Sequence, residues 1–330
     1  MPENFKSPAK VLIRKEWSKK IIEFIKRKLG KKIIYLGLPS PNAEDIMEWL
    51  EYIDEVIAFQ CREYPEPSNP DQSREKVIRL EQRLNELERQ QKIETYAVYD
   101  GYIEEVLLRG RDNSNIDFFQ NDAITIYNLD FCNQITSPIS FTDKKGELKS
   151  AYKFDAVKEL MNHQSNVNTQ SKKFIMFLTM QCGYDGKELH DFITHHGDKS
   201  VSTYMKQVKK IPGESMRKSR FLKSYVLDSL KDYFKTEGFI PEFLPVIFYE
   251  GVGGYKLLQF TVLGTSKTEK TGTAPFFQSI SELLWQKFII ASEKGFKLMN
   301  AENIEETDVN LDPRKIISSS KTYEKLWITK

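Results

Sequence analysis

Only three cysteines occur among the 330 residues, Cys61, Cys132 and Cys182, and no two form a Cys-x-x-Cys pair. That excludes a disulfide framework and suits a reducing compartment, so a cytoplasmic protein is expected. Each cysteine closely follows a predicted strand, but spacings of 71 and 50 residues match no metal-ligand pattern. Lone cysteines are most often small buried hydrophobes. His190 and His195 are not at the i, i+4 spacing that puts two imidazoles on one helix face, and no metal is expected. No apolar run approaches the roughly 20 residues of a membrane span. The basic N-terminus lacks the apolar stretch of a secretory signal. There is no Walker A loop, no Gly-x-Ser-x-Gly and no zinc-finger spacing.

What is present is ordinary in bulk and informative in order. A hydrophobic content of 40% and a charged content of 29% are those of a globular chain able to bury a large core. Charge is uneven. Residues 1–32 hold eleven Lys/Arg against Glu3, Glu16 and Glu23, a net +8. The other 298 residues therefore carry −6 of the overall +2. Such a bias suits a polyanion partner, or a solvated lysine-rich helix face.

Short apolar runs at 33–38, 55–60, 95–99, 123–130 and 174–180 are separated by helix-length stretches. The runs at 244–250 and 255–263 are separated only by Gly251-Val252-Gly253-Gly254, which allows nothing but a hairpin. The pattern predicts an α/β fold: five parallel strands closed by a C-terminal antiparallel hairpin, with helices on both faces. Between the strands, Trp17, Ile21, Phe24, Ile25 and Leu29 predict an amphipathic helix over 14–29, capped by Gly30. Ser40-Pro41 predicts a helix start, with Ser as N-cap and Pro at the first helical position. Val77, Leu80, Leu84 and Leu87 mark a narrow seam on a charged helix over 72–92, suited to packing on the sheet or to a dimer or protein partner. Residues 185–236 read as a polar helical insertion, followed after the hairpin by a polar loop over 265–275 and a helix near 276–293.

The predicted strand order resembles the class I S-adenosylmethionine-dependent methyltransferase fold, a Rossmann-like sheet with a reversed hairpin in its last two strands. The resemblance spans residues 33–264, with 1–32 as a basic N-terminal helical segment and 265–330 as a helix and tail on the same domain. It implies S-adenosylmethionine as cofactor. Gly37, in Gly37-Leu38-Pro39-Ser40-Pro41, stands at the first glycine of that family's cofactor loop, and the later glycines are absent. Ser40 offers a polar contact there. Gln60 stands where the family has a ribose-binding acid at the end of the second strand, with Glu63 three residues on. Asp100, in Tyr99-Asp100-Gly101, matches the position near the adenine amino group, or serves as a turn residue. Asp130 with Phe131 loosely matches the pair that holds the nucleophile to be methylated. An acid ending a strongly apolar strand is costly to bury without a role.

Three functions remain open. The first is a methyltransferase acting on a nucleic acid, RNA before DNA, bound through the basic segments 6–32 and 206–223. Tyr204, Phe221 and Tyr225 would stack on bases in the second segment. The second is a catalytically inactive methyltransferase-like subunit that binds a protein or nucleic-acid partner. The third is a Rossmann-like enzyme with another nucleotide ligand.

Overall fold

Apolar side chains on both sides of the strand at 34–37 require a core on each face of the sheet. Ile34 and Leu36 enter one core, and Ile33 and Tyr35 enter the other. The computed structural model describes residues 7–29, 32–61, 74–168, 172–184, 186–196, 214–269, 288–299, 306–308 and 313–314.

In chain order the strands are β1 (Ile34–Gly37), β2 (Glu55–Gln60), β3 (Thr95–Asp100), β4 (Ile126–Gln134), β5 (Ile139–Thr142), β6 (Leu148–Ala151) and β7 (Phe174–Gln181). There follow β8 (Phe239–Phe243), β9 (Ile247–Glu250), β10 (Lys256–Ser266), β11 (Phe288–Ser292), β12 (Gly295–Met299) and β13 (Glu306–Asp308). The helices are α1 (Pro8–Leu12), α2 (Lys19–Leu29), α3 (Glu44–Trp49), α4 (Glu75–Arg89), α5 (Ile103–Arg109), α6 (Lys153–Asn166), α7 (Gly186–His196) and α8 (Glu214–Thr236). A π-helical stretch, Ile13–Ser18, joins α1 to α2.

The main sheet runs β13-β12-β11-β9-β10-β7-β4-β1-β2-β3, with β8 also paired to β10. From β3 to β7 all pairs are parallel, and β10 is antiparallel to both β7 and β9. The five parallel strands and the reversed hairpin are therefore as predicted, and so are helices on both faces. One core holds side chains of α2, α3 and α4, and the other those of α5, α6 and α8.

Several expectations need correction. The hairpin does not close the sheet, because β11 pairs in parallel with β9 and leads to β12 and β13. The helix expected near 276–293 is strand from Phe288 to Ser292, and 276–287 lies outside the described residues. Its Ile289 and Ala291 alternate into the core, a period of two inside a short apolar run. The hairpin β5–β6 and strand β8 lie within stretches read as connections. The helix after β1 starts at Glu44 and not at Pro41. A turn intervenes, closed by the Ala43 N–H donating to the Ser40 carbonyl at 2.8 Å. The Ser40 hydroxyl still accepts the Glu44 N–H, at 3.3 Å. Gly30, Glu63 and Tyr204 lie outside the described residues.

The N-terminal segment is part of the core. Trp17 is fully buried, and its indole N–H donates to Thr261 Oγ1 at 3.0 Å, across the sheet from β10. The seam of α4 is buried within the chain, so packing on the sheet accounts for it.

Candidate functional site

The strand order turns at β1. From there β2 and β3 extend the sheet one way, and β4 and β7 the other. At such a switch point the loops leaving neighbouring strands part, and a crevice opens outside their carboxyl ends. Here the crevice is a cleft of about 110 Å³. Leu38 and Pro39 after β1, Phe59, Gln60 and Cys61 from β2, and Gly101 to Glu104 after β3 line it, with Asp130, Phe131 and Asn133 of β4. Ile139 of β5 and Lys153 at the start of α6 complete the wall. The lining is apolar with a few polar groups converging on it, the usual make-up of a small-molecule site.

The sequence-predicted residues divide into two sets. Asp130, Phe131 and Gln60 line this cleft together. The Gln60 amide donates to the Cys61 carbonyl at 3.3 Å, which leaves its side-chain oxygen as the acceptor. Asp100 does not line it. Ser114 donates to its carboxylate at 3.3 Å, and Arg74 Nε lies 3.6 Å away. Its own N–H is held by Asp112, which also caps Ser114 and Ile116, so Asp100 anchors the loop behind the cleft. Gly37 is close-packed. A Cβ there would lie 2.5 Å from the Tyr35 hydroxyl and 2.6 Å from the Asn128 carbonyl. Ser40 is buried against Glu44 beside a second cavity.

Two cleft residues escape sequence reasoning. Glu104, on the first turn of α5, is 4% exposed, and burial raises its pKa above the ordinary carboxylate range despite the opposing field of Lys153. The Lys153 ammonium donates to the Ser137 carbonyl at 3.0 Å and stands 6.0 Å from the Phe131 ring centroid. Both charges fall within amphipathic helix patterns, where such residues normally face water.

Asp130 is not open to solvent alone. Lys10 of α1 forms an ion pair with it, and both side chains are nearly buried. Much of the remaining N-terminal basic charge is also paired. Lys19 meets Glu48 and Glu51, Lys20 meets Glu16, Lys26 meets Asp54, Arg27 meets Glu23, and Lys32 meets Glu55 and Glu94. In the second basic segment Phe221 and Tyr225 are buried and stack on each other at 5.8 Å. They face the interior rather than a nucleic acid, because α8 packs its apolar side on α6 and the sheet. Arg220 and Lys223 are buried beside them, and burial pulls both of their pKa values down. Residues 206–213 lie outside the described part.

One further cluster forms away from the cleft. Asp155, His195 and His196 bring one ligand-type atom each within 4.8 Å of one another. The Lys158 ammonium lies 3.1 Å from His196 Nδ1, and Asp155 also caps α6 through the Tyr152 N–H. A cation and a cap already use these groups.

The strand order from β3 to β9, with β10 reversed between β7 and β9, and a cleft at the switch point define a class I methyltransferase-type fold. No protein-family model and no curated protein matches the chain. Among solved structures it is similar to the small RNA methyltransferase HEN1, at 12% identity and a TM-score of 0.37, over 84% of this chain and 27% of that one. It is also similar to the YcgJ protein of Bacillus subtilis, at 9% identity and a TM-score of 0.36, over 76% and 98% of the two chains. An O-methyltransferase of Bacillus cereus in complex with SAH matches at 8% identity and a TM-score of 0.31, over 74% and 80%. Likenesses this distant decide nothing about this chain, and the architecture rests on the strand order itself. Among the described residues no helix is long and apolar enough to cross a membrane.

Proposed function

We propose that the chain binds S-adenosylmethionine in the cleft and transfers its methyl group to a nucleophile held by Asp130. The observation that carries this reading is the position of Asp130 and Phe131 on β4, just past its last pairing with β1 at Asn128, in one cleft with Gln60 and the β1 loop. The residues fit the cofactor. Phe59, Ile103 and Phe131 offer apolar walls for a purine, and the Gln60 side-chain oxygen can accept from a ribose hydroxyl. When bound, S-adenosylmethionine supplies a methyl group already activated on a sulfonium, so alignment matters more than a strong base. Asp130 then has the task of accepting a hydrogen bond from the incoming nucleophile and orienting it. Lys153 beside Phe131 fixes the wall against which that nucleophile sits, and Leu38 and Pro39 keep water from the β1 side.

The acceptor proposed is a nucleic acid, RNA first. The ion-paired cations of the N-terminal segment and the buried Phe221 and Tyr225 take no part in holding it. A second reading, a binding subunit without transfer, is favoured by the Lys10–Asp130 ion pair and by the prolines in the β1 loop.

Calorimetric titration with S-adenosylmethionine and S-adenosylhomocysteine is the test. Micromolar binding, weakened at least about tenfold by Phe131→Ala and little changed by Asp130→Asn, is expected. Methyl transfer from labelled cofactor to total RNA should then be lost in Asp130→Asn. Binding without transfer to any nucleic acid would favour the binding subunit. A folded protein that does not bind would overturn both forms of the cofactor claim.

A further inference from the structure

Among the described residues, one group of three metal-ligating side chains stands together, at the start of α6 and the end of α7. Asp155 lies on the first turn of α6, and His195 and His196 are the last two residues of α7. His195 Nε2 is 2.9 Å from Asp155 Oδ2, and His196 Nδ1 is 3.7 Å from Asp155 Oδ1. Ligands about 2.1 Å from one cation stand about 3 Å apart at right angles and about 3.4 Å apart in a tetrahedron. The two spacings bracket that range. The i, i+4 rule for two histidines on one helix does not apply here, because the carboxylate comes from another helix, 40 residues before His195. Two contacts already use the cluster, and both leave room for a metal ion. The Tyr152 N–H donates to Asp155 Oδ2 at 2.8 Å, which sets the plane of the carboxylate. The Lys158 ammonium stands 3.1 Å from His196 Nδ1 and brings a positive charge to the cluster. An ammonium has no lone pair, so His196 meets it with its unprotonated nitrogen, the form that ligates. Lys158 also lies 4.8 Å from the centroid of the Tyr233 ring, a second seat for its charge onto which it can withdraw. The His196 side chain is 2% exposed, packed among Tyr152, Phe154 and Phe192. Supports of this kind orient the ligands of metal centres. The His195 side chain is 37% exposed, so the cluster opens to solvent on one side.

We infer that Asp155, His195 and His196 bind a divalent transition-metal cation, Zn²⁺ first, with its remaining coordination filled by water on the His195 side. Two imidazoles and one carboxylate suit Zn²⁺, whereas Mg²⁺ and Ca²⁺ prefer sites built from oxygen. The ion replaces the Lys158 ammonium at His196 Nδ1. It joins the end of α7 to the first turn of α6, two residues from Lys153 of the cleft wall. It is therefore a clamp behind that wall, and it stands whether or not the cleft takes S-adenosylmethionine.

Calorimetric titration of the metal-free chain with zinc chloride at neutral pH tests this. One ion per chain should bind with micromolar affinity or tighter, and the thermal midpoint should rise with Zn²⁺ and not with Mg²⁺. His195→Ala and Asp155→Asn should each weaken binding at least about tenfold. Lys158→Met should strengthen it, because a competing positive charge is gone. His195 is exposed at the end of its helix, so His195→Ala keeps the fold and carries the test should Asp155→Asn fail to fold. No binding to the folded protein would overturn the inference. So would binding that His195→Ala and Asp155→Asn leave unchanged, which would place the ion on other residues.

Discussion

Glu104 shows how far a side chain can depart from its sequence pattern. In sequence it is one of two acids on the first turn of α5; in the fold it is almost fully buried against the cleft. Desolvation raises its pKa from the ordinary 4.5, so the folded state holds its proton more tightly than the unfolded chain does. Its contribution to stability is complete below pH 4.5 and is lost as pH rises through the folded value. Glu104→Gln should therefore flatten the pH dependence, and urea midpoints at pH 4 and pH 8 should differ less in the variant than in the wild type. The cysteines give a second prediction at this scale. Burial pushes the Cys182 thiol up to about 11, and it donates to Ser219, whereas Cys61 lines the cleft. Iodoacetamide at pH 8 should label Cys182 slowly, and S-adenosylhomocysteine should protect Cys61. Gln60 and Asp130 were legible as cleft residues because each ends an apolar run of the sequence, although β4 itself continues to Gln134, and Asp130 and Phe131 reach the cleft because β1 stops short of them at Gly37. Lys10, Glu104 and Lys153 were not, because burial of a charge on a helix depends on what packs over it.

Among the elements, β10 carries the most structure. It pairs with β7 along one edge and with both β8 and β9 along the other. Gly264 makes this possible. A Cβ there would lie 2.2 Å from the Phe174 ring, which is itself wedged against Tyr127, Phe234 and Phe239. Gly264→Ala should cost about 1–3 kcal/mol, read as a lower urea midpoint with an unchanged slope. The hairpin β9–β10 was legible from its glycine-rich link. Strands β8 and β11 were not, since a short apolar run fits strand or helix until its neighbours are known.

Across the whole molecule, charge is the property that sequence and structure treat most differently. The +8 of the first 32 residues suits a polyanion site or a solvated helix face, yet six of its eleven cations pair with acids of the π-helical stretch, α2, α3, β2, β4 and the loop before β2. Of the cations whose side chains are described, Arg14 and Lys15 are left outside these pairs to displace counterions. RNA binding through this face should show a slope of log K on log salt of about −2, as two or three phosphate contacts on a single strand give. A slope much steeper than that would assign binding to basic residues beyond the described part, such as those at 206–213.

The sequence by itself determined five parallel strands and the β9–β10 hairpin, because run length, connection length and a Gly-rich link are local properties that separate parallel from antiparallel neighbours. Strand order in turn determined where a cleft opens, with Gln60 at the end of β2 and Asp130 and Phe131 on β4 in its wall. Only tertiary structure decided what surrounds them. The N-terminal helix sets Lys10 on Asp130, and α5 and α6 turn Glu104 and Lys153 inward. Charges on a chain carry no record of their partners, which lie four residues away for Lys20 and Glu16 and 120 away for Lys10 and Asp130, and packing alone selects the distant ones.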